Sequence, residues 1–130
     1  MFEEVLSRIN PTIIEAYLPA NWFGAYDLVT NTIILRPMMA PIQRRSTLSH
    51  ETAHALLGHS GHHPRQERAA EELSASWLIR HEEYLQATRI YDSPVAVANE
   101  LEVLPRDIHA YVRWLSRTQK QENHQWLPDA

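Results

Sequence analysis

Hydrophobic and polar residues follow two different spacings along this chain, and the strand-like spacing is confined to its first part. Phe2 to Ile9 place apolar side chains at helical intervals until Asn10-Pro11 interrupts the pattern. The stretch from Thr12 to Leu35 is instead rich in β-branched and aromatic residues, with turn-forming residues between the apolar runs. We predict a short helix followed by three short strands in an antiparallel meander.

Helical spacing dominates the rest of the chain. Pro41 suits the first turn of a helix, and the apolar pattern then continues to Gly58, where we expect that helix to end. A second helix is predicted over Gln66 to Arg80. Two further amphipathic helices are expected to begin after Ser93 and at Pro105.

The size and composition of the chain fit one globular domain of the α+β class. The 130 residues are 44% hydrophobic and 22% charged, which is close to the average for soluble domains, and they leave little room for a second core. We therefore expect a single domain over residues 1–130, with the three-stranded antiparallel sheet packed on a helical core. Residues 95–120 should form a helical pair within that same domain.

Charge and cysteine content exclude several classes of function. The net charge of -4 gives no general attraction to nucleic acid or to an anionic membrane, so direct nucleic-acid binding is not expected. The absence of cysteine excludes disulfides, a thiol nucleophile and thiolate metal sites. The N-terminus lacks the pattern of a signal peptide and no segment approaches the ~20 apolar residues of a membrane span, so we expect a cytoplasmic protein.

The segment His50-Glu51-Thr52-Ala53-His54 carries the clearest chemical signal. On a helix, two histidines four residues apart lie on one face, where both imidazoles can bind a single zinc ion. Glu51 lies beside that face, where its carboxylate can take a proton from water and pass it to a leaving amine. The motif predicts a zinc metallopeptidase with Glu51 as the general base.

A catalytic zinc site needs a third protein ligand and one open position. A metzincin-type site would have glycine at position 57 and histidine at position 60, but Leu57 and Ser60 stand there, which excludes that class. Three histidines of the following loop could return to the metal, although exposed surface residues are their ordinary role: His59, His62 and His63.

Two glutamates of the second predicted helix offer another third ligand. Glu67 lies at its start, and Glu71 follows one turn later on the same face. Glu67 would complete a set of two histidines and one glutamate, and Glu71 would accept a hydrogen bond from the other ring nitrogen of His50 or His54. A solvated acidic face paired with neighbouring arginines explains the same spacing, so these residues alone leave the third ligand open.

The run RRSTLSHETAHALLGHSGHHPRQERAAEELSASWLI resembles the ImmA/IrrE metallopeptidases, especially the short versions of phages and mobile elements. The resemblance extends roughly from Trp22 to Leu115. It includes an aromatic-Gly-x-Tyr-Asp strand ending at Asp27, the strand Thr32 to Leu35, and the QE-x-x-A pattern that begins at Gln66.

This resemblance implies a gluzincin-like zinc site. It assigns His50, His54 and Glu67 as metal ligands and Glu51 as the general base. Where the family usually has Asp or Asn after the alanine, this chain has Glu71, a longer carboxylate that could keep a hydrogen bond to a ligand or compete for the metal.

Two functions from different classes follow. The first is a zinc-dependent endopeptidase with a protein substrate, which the resemblance suggests is a DNA-binding repressor of a phage or mobile element. The second is a non-catalytic module that keeps the zinc fold and docks a repressor or DNA. Retention of Glu51 favours the enzyme, since a binding module has no need of the base.

Two further features of the sequence have more than one interpretation. Residues 95–120 faintly resemble a helix-turn-helix with arginines such as Arg106 for phosphate contacts, but their apolar positions serve equally well as core, which is the favoured interpretation. A donor for the carbonyl oxygen is also needed, and spacing does not rank the candidate tyrosines Tyr26, Tyr84 and Tyr91 or a loop histidine.

Overall fold

The computed structural model describes residues 1–19, 21–61 and 63–126, with side chains only as far as residue 119. Within these ranges the chain has the expected α+β composition, with three strands and six helices. The elements are α1 (Phe2–Ile9), β1 (Thr12–Glu15), β2 (Gly24–Asp27), β3 (Thr32–Leu35), α2 (Pro41–Leu57), α3 (Pro64–Leu78), α4 (His81–Ile90), α5 (Pro94–Leu101) and α6 (Pro105–Trp126). None of the helices in the described ranges is long and apolar enough to cross a membrane.

The three strands form a mixed sheet, so the predicted antiparallel meander is wrong. The strand order is β1-β3-β2, with β3 parallel to β1 and antiparallel to β2. β3 takes the central place because Ile33 and Leu35 are fully buried, whereas every residue of β1 is exposed. β1 and β2 are therefore two strand spacings apart, about 10 Å, with β3 between them.

Helix α2 carries the HETAH segment and buries small polar side chains against α3. The Ser74 hydroxyl of α3 donates a hydrogen bond of 2.7 Å to the hydroxyl of Ser49, and both residues are buried. Small side chains at a helix contact allow the two axes to approach closely. This contact brings α3 alongside the HETAH segment.

A glycine ends α2 and turns the chain back toward it. Gly58 has a left-handed backbone with φ 68°, which favours glycine over residues with a side chain. The next amide, of His59, donates to the carbonyl of His54 at 3.0 Å, the bond expected where a left-handed residue closes a helix. His59 is thereby returned to the last turn of α2.

The apolar core lies among the C-terminal helices. Tyr111 of α6 is fully buried, and its hydroxyl lies 2.9 Å from Nδ1 of His81 at the start of α4. The predicted helical pair corresponds to α5 and α6, and both helices contribute to this core. Its buried members are Ala75, Ile79, Ala87, Val97, Ala98, Val103, Ile108, Ala110 and Tyr111.

Gly24 allows β2 to lie directly against α2. A Cβ added at this position would lie 2.6 Å from Cγ2 of Thr47 and 3.1 Å from Cγ of Glu51. We expect Gly24→Ala to lower the free energy of unfolding by about 1–3 kcal/mol, because the added methyl group overpacks this contact. Urea denaturation of the two proteins measures the difference.

A second substitution separates this contact from a general effect on the strand. Thr47→Ser removes the Cγ2 atom but keeps the hydroxyl, which accepts a hydrogen bond from Gln43 at 3.0 Å. In the Gly24→Ala protein it should restore a large part of the lost stability. A Gly24→Ala protein as stable as the wild type would show that the strand can move away from α2 at no cost.

Candidate metal centre

Two helices bring three potential ligands together. His50 and His54 lie one turn apart on α2, and their Nε2 atoms are 3.1 Å from each other. Glu67, in the first turn of α3, places Oε2 at 3.1 Å from Nε2 of His50 and Oε1 at 3.1 Å from Nε2 of His54. Two imidazoles and one carboxylate therefore converge on one point between α2 and α3.

The separations among these donor atoms fit a small tetrahedral cation. Nitrogen and oxygen ligands bound at about 2.0–2.1 Å in tetrahedral geometry are about 3.3 Å apart, close to the separations in this cluster. A set of two histidines and one carboxylate with a remaining open side is the donor set of hydrolytic zinc sites. The residues present thus suit a catalytic metal ion.

Glu51 is also close to this cluster, but its environment differs from that of Glu67. One carboxylate oxygen of Glu51 and one ring nitrogen each of His50 and His54 all lie within 4.8 Å of one another. By distance alone it could serve as a ligand. Glu67 is the better ligand because each of its two oxygens lies beside one of the Nε2 atoms, which leaves Glu51 available for proton transfer.

The carboxyl group of Glu51 is almost completely buried, with 5% of the residue exposed. Its Oε2 atom has no hydrogen-bond partner among the described residues. Burial raises the pKa of Glu51 to about 7; the charges of His50 and Arg106 oppose this rise, and that of Glu67 adds to it. A buried carboxylate with a pKa near neutrality is suited to accept and return a proton.

The raised pKa of Glu51 predicts a pH-dependent stability for the metal-free protein. The folded state binds the proton more tightly than the unfolded chain, in which the pKa is near 4.5. The resulting stabilisation is fully present below that value and is lost as the pH rises through about 7. Relative to Glu51→Gln, the wild type should lose on the order of 3 kcal/mol of unfolding free energy between pH 5 and pH 8.

Urea denaturation of both proteins in the presence of chelator at several pH values would measure this difference. The comparison isolates the contribution of the Glu51 side chain, because the two proteins are otherwise identical. A difference between the two proteins that stayed constant from pH 5 to pH 8 would contradict the assigned environment of Glu51.

Glu71, which the sequence placed beside the ligands, is held elsewhere. Its Oε2 accepts a hydrogen bond of 2.8 Å from Nη2 of Arg113 on α6, and its side chain is 44% exposed. The side chain leaves α3 on the side that packs against α6, so the structure does not bring it to His50 or His54. The hydrogen bond that Glu71 was expected to accept from His50 or His54 is not among its contacts in the described structure.

A loop histidine takes the place that Glu71 was expected to have. Nδ1 of His59 lies 3.0 Å from Nδ1 of His54, on the side of the imidazole that faces away from Glu67. When His54 binds a metal through Nε2, its Nδ1 carries the proton and donates it to His59, which fixes the orientation of the ring. Burial lowers the pKa of His59, which favours the neutral form that such an acceptor needs.

His63, another histidine of this loop, has a role at the start of α3. The His63 side chain accepts a hydrogen bond from the amide of Arg65 and caps the start of α3. His62 lies outside the described residues.

A cleft of about 240 Å³ opens beside the cluster. Its walls include the N-terminal side of β2 and the first turn of α6. The residues that line it include Trp22, Phe23, His50, Glu51, Glu67 and Arg106. Arg106 is a cleft residue that the sequence did not indicate, because only the packing of α6 against α2 brings it there.

The tyrosines considered as donors for a carbonyl oxygen have other contacts. The Tyr26 hydroxyl donates to Asn31 at 2.8 Å. Tyr84 packs edge-on against Tyr111, and the Tyr91 hydroxyl lies 3.4 Å from a carboxylate oxygen of Glu100. None of the three is among the residues lining the cleft.

Comparison with known proteins places this site in a family. No curated protein and no solved structure matched the chain. A family model did match: peptidase M78, described as the IrrE N-terminal-like domain, over residues 15–106. The matched region contains the whole His50, Glu51, His54 and Glu67 cluster and confirms the resemblance to the ImmA/IrrE proteins. Because the match covers well over half of the chain, the protein belongs to this family of peptidases.

Proposed function

We propose that this protein is a zinc-dependent endopeptidase that cuts a specific protein. The observation that carries the proposal is the position of Glu51 beside the donor set of His50, His54 and Glu67. Glu51 is buried, its pKa is near neutrality, and one of its carboxylate oxygens has no hydrogen-bond partner in the described part of the chain. A site that only held a metal for structural reasons would gain nothing from such a carboxylate.

The proposed mechanism divides the work between ligands and base. Zinc held by His50, His54 and Glu67 would supply Lewis-acid polarisation of the scissile carbonyl and make water more acidic. Glu51 takes a proton from the attacking water at its partnerless Oε2 and delivers it to the leaving amine. The neutral His59 keeps the His54 ring in one orientation, so that the ligand geometry does not change between these steps.

The edge of β2 is the proposed location of the substrate backbone. β2 pairs only with β3 in this sheet, so its other edge has unpaired amides and carbonyls. This edge begins at Gly24, which lines the cleft beside Glu51 together with the aromatic residues Trp22 and Phe23. An extended peptide paired with β2 would cross the metal cluster. A peptide-bound structure with the substrate away from β2 would exclude this arrangement.

The proposed substrate is a DNA-binding repressor of a phage or mobile element. The choice of a repressor as substrate rests on the family, since ImmA/IrrE proteins carry the same motifs. It does not rest on any residue of the cleft. Direct DNA binding by α5 and α6 is less favoured, because α5 has no arginine and two arginines of α6 pair with glutamates of the fold. Arg113 and Arg117 bond Glu71 and Glu72, at 2.8 Å and 3.0 Å.

The proposal is tested by mixing the zinc-loaded protein with the repressor encoded by the same element. Intact mass spectrometry of the mixture should show two repressor fragments from one cut. Removal of zinc with 1,10-phenanthroline should stop the cleavage, and added zinc should restore it. A zinc-loaded protein that binds the repressor and leaves it intact would instead favour the non-catalytic binding module.

A further inference from the structure

Arg106 lies at the entrance to the metal cluster although it belongs to the C-terminal helix. It is the second residue of α6, after Pro105. Its Nη2 atom donates a hydrogen bond of 3.3 Å to the hydroxyl of Ser46. Ser46 lies one turn before His50 on the same face of α2, about 6 Å along the helix axis. The guanidinium is therefore next to the ligand-bearing face of α2.

Hydrogen bonds that involve the buried residues Ser46 and Asp107 connect the exposed Arg106 to α2. Asp107 is buried and accepts from the amide of Leu104 at 3.0 Å, which caps the start of α6. Its other oxygen accepts from the hydroxyl of Ser46 at 3.1 Å. Because Ser46 donates to Asp107 and accepts from Arg106, one side chain fixes both the helix and the guanidinium against α2.

Among the described residues that line the cleft, Arg106 is the only permanent cation. Within the described part of the chain, its guanidinium uses one N–H group toward Ser46, and several more N–H groups can donate to a ligand. No carboxylate among the described residues forms an ion pair with it. The other acidic groups of the cleft are Glu51 and Glu67, whose roles are already assigned.

Peptide hydrolysis develops negative charge on the scissile carbonyl oxygen, and that charge is stabilised by donors fixed in advance. The candidate tyrosines lie away from the cleft, and the His59 ring is engaged with His54. Arg106 is a fixed donor with a full positive charge, and it borders the same cleft as the base and the ligands.

We infer that Arg106 is the anion-binding group of the cleft, and that its guanidinium donates to the scissile carbonyl oxygen as this oxygen becomes negative. The second part of this inference rests on the proposed peptidase function. Arg106 then acts from the first turn of α6, in the same cleft as Glu67 of α3. An acidic side chain of the substrate is the other partner that a guanidinium could bind, and the experiment distinguishes the two.

The first arm of the experiment needs no substrate. Zinc-loaded wild type, Arg106→Gln and Arg89→Gln are titrated with methylphosphonate, a small tetrahedral anion, by calorimetry. Arg89 is exposed on α4, so Arg89→Gln makes the same change of charge away from the cleft. Arg106→Gln should weaken methylphosphonate binding at least about tenfold, while the control stays within about twofold. Equal affinities in all three proteins would overturn the inference.

The second arm measures repressor cleavage by the same three proteins. Arg106→Gln should lower kcat by about 10²–10³-fold with little change in KM, which is the signature of a group that acts in the transition state. A raised KM with unchanged kcat would assign Arg106 to an acidic substrate side chain and overturn its role at the carbonyl oxygen. Zinc content and the thermal unfolding midpoint are measured for each protein, so that a loss of fold is not mistaken for either result.

The two arms separate this inference from the proposed function. If the wild type and Arg106→Gln cleaved the repressor at the same rate, the inference about Arg106 would be overturned and the proposed function would stand. Arg106-dependent methylphosphonate binding without any repressor cleavage would overturn the proposed function and support the anion-binding role.

Discussion

The Glu51→Gln protein should bind zinc as the wild type does and cleave the repressor at least about a hundredfold more slowly. The substitution keeps the shape of the side chain and removes its ability to accept a proton, a function that contributes about 10²–10⁴ to the rate in general-base catalysis. The ligands His50, His54 and Glu67 are unchanged, so zinc content measured by mass spectrometry should stay the same.

The neutral side chain should also fit its surroundings better than the charged one. Glu51 is buried with one partnerless oxygen, so replacement by Gln removes a buried charge while it keeps the packing against Gly24. We therefore expect the metal-free variant to be at least as stable as the wild type above pH 7. This expectation separates a loss of activity caused by chemistry from one caused by unfolding.

Glu82→Gln is a matched control, because Glu82 is exposed in the first turn of α4 and its replacement by Gln removes the same charge. It should leave both zinc content and cleavage unchanged. Loss of zinc from the Glu51→Gln protein would mean that Glu51 is a ligand, and full cleavage by that protein would mean that another group is the base.

Local sequence was sufficient to predict the central part of the site. Two histidines four residues apart share a face wherever the chain is helical, and the helix itself was indicated by Pro41 and Gly58. In the structure that helix extends over Pro41–Leu57, and the Nε2 atoms of the two imidazoles are 3.1 Å apart. The position of Glu67 was one of several options from spacing, and the resemblance selected it from among them.

The order of the strands could not be predicted in the same way. The alternation in Thr12 to Leu35 indicates that strands form, but each strand can pair with either neighbour at similar local cost. The choice depends on which strand can be covered on both sides. β3 has the fully buried Ile33 and Leu35, because it lies between β1 and β2 and packs against α2, and local alternation does not reveal that placement.

The surroundings of the ligands were also beyond local prediction. Neither Glu71 nor Arg106 has the surroundings that the sequence suggested: Glu71 bonds Arg113 away from the cluster, and Arg106 lines the cleft. The position of Glu71 depends on the contact between α6 and α3, and the position of Arg106 depends on the contact between α6 and α2. No spacing within α3 or α6 contains that information, since the residues in contact are separated by 42 and 60 positions in the chain.

Substitution of Glu67 should have the largest effect on the metal itself. Glu67→Ala removes one of the three proposed protein ligands and leaves two imidazoles, a set that would bind zinc much more weakly. We expect the zinc dissociation constant to rise at least about a hundredfold, more than the roughly 10–100-fold that loss of a group supporting a ligand produces. Competition with a chromophoric chelator at fixed pH measures the constant.

Glu71→Ala is the matched comparison, since both glutamates belong to α3 and lie one turn apart. It removes only the exposed ion pair with Arg113, which contributes at most about 1 kcal/mol to stability and does not reach the imidazoles. Its zinc dissociation constant should stay within about threefold of the wild type. If Glu71→Ala weakened zinc binding more than Glu67→Ala, Glu71 would be the third ligand. Helix α3 would then have to rotate about its axis when the metal binds, since in this structure Glu67 contacts α2 and Glu71 contacts α6.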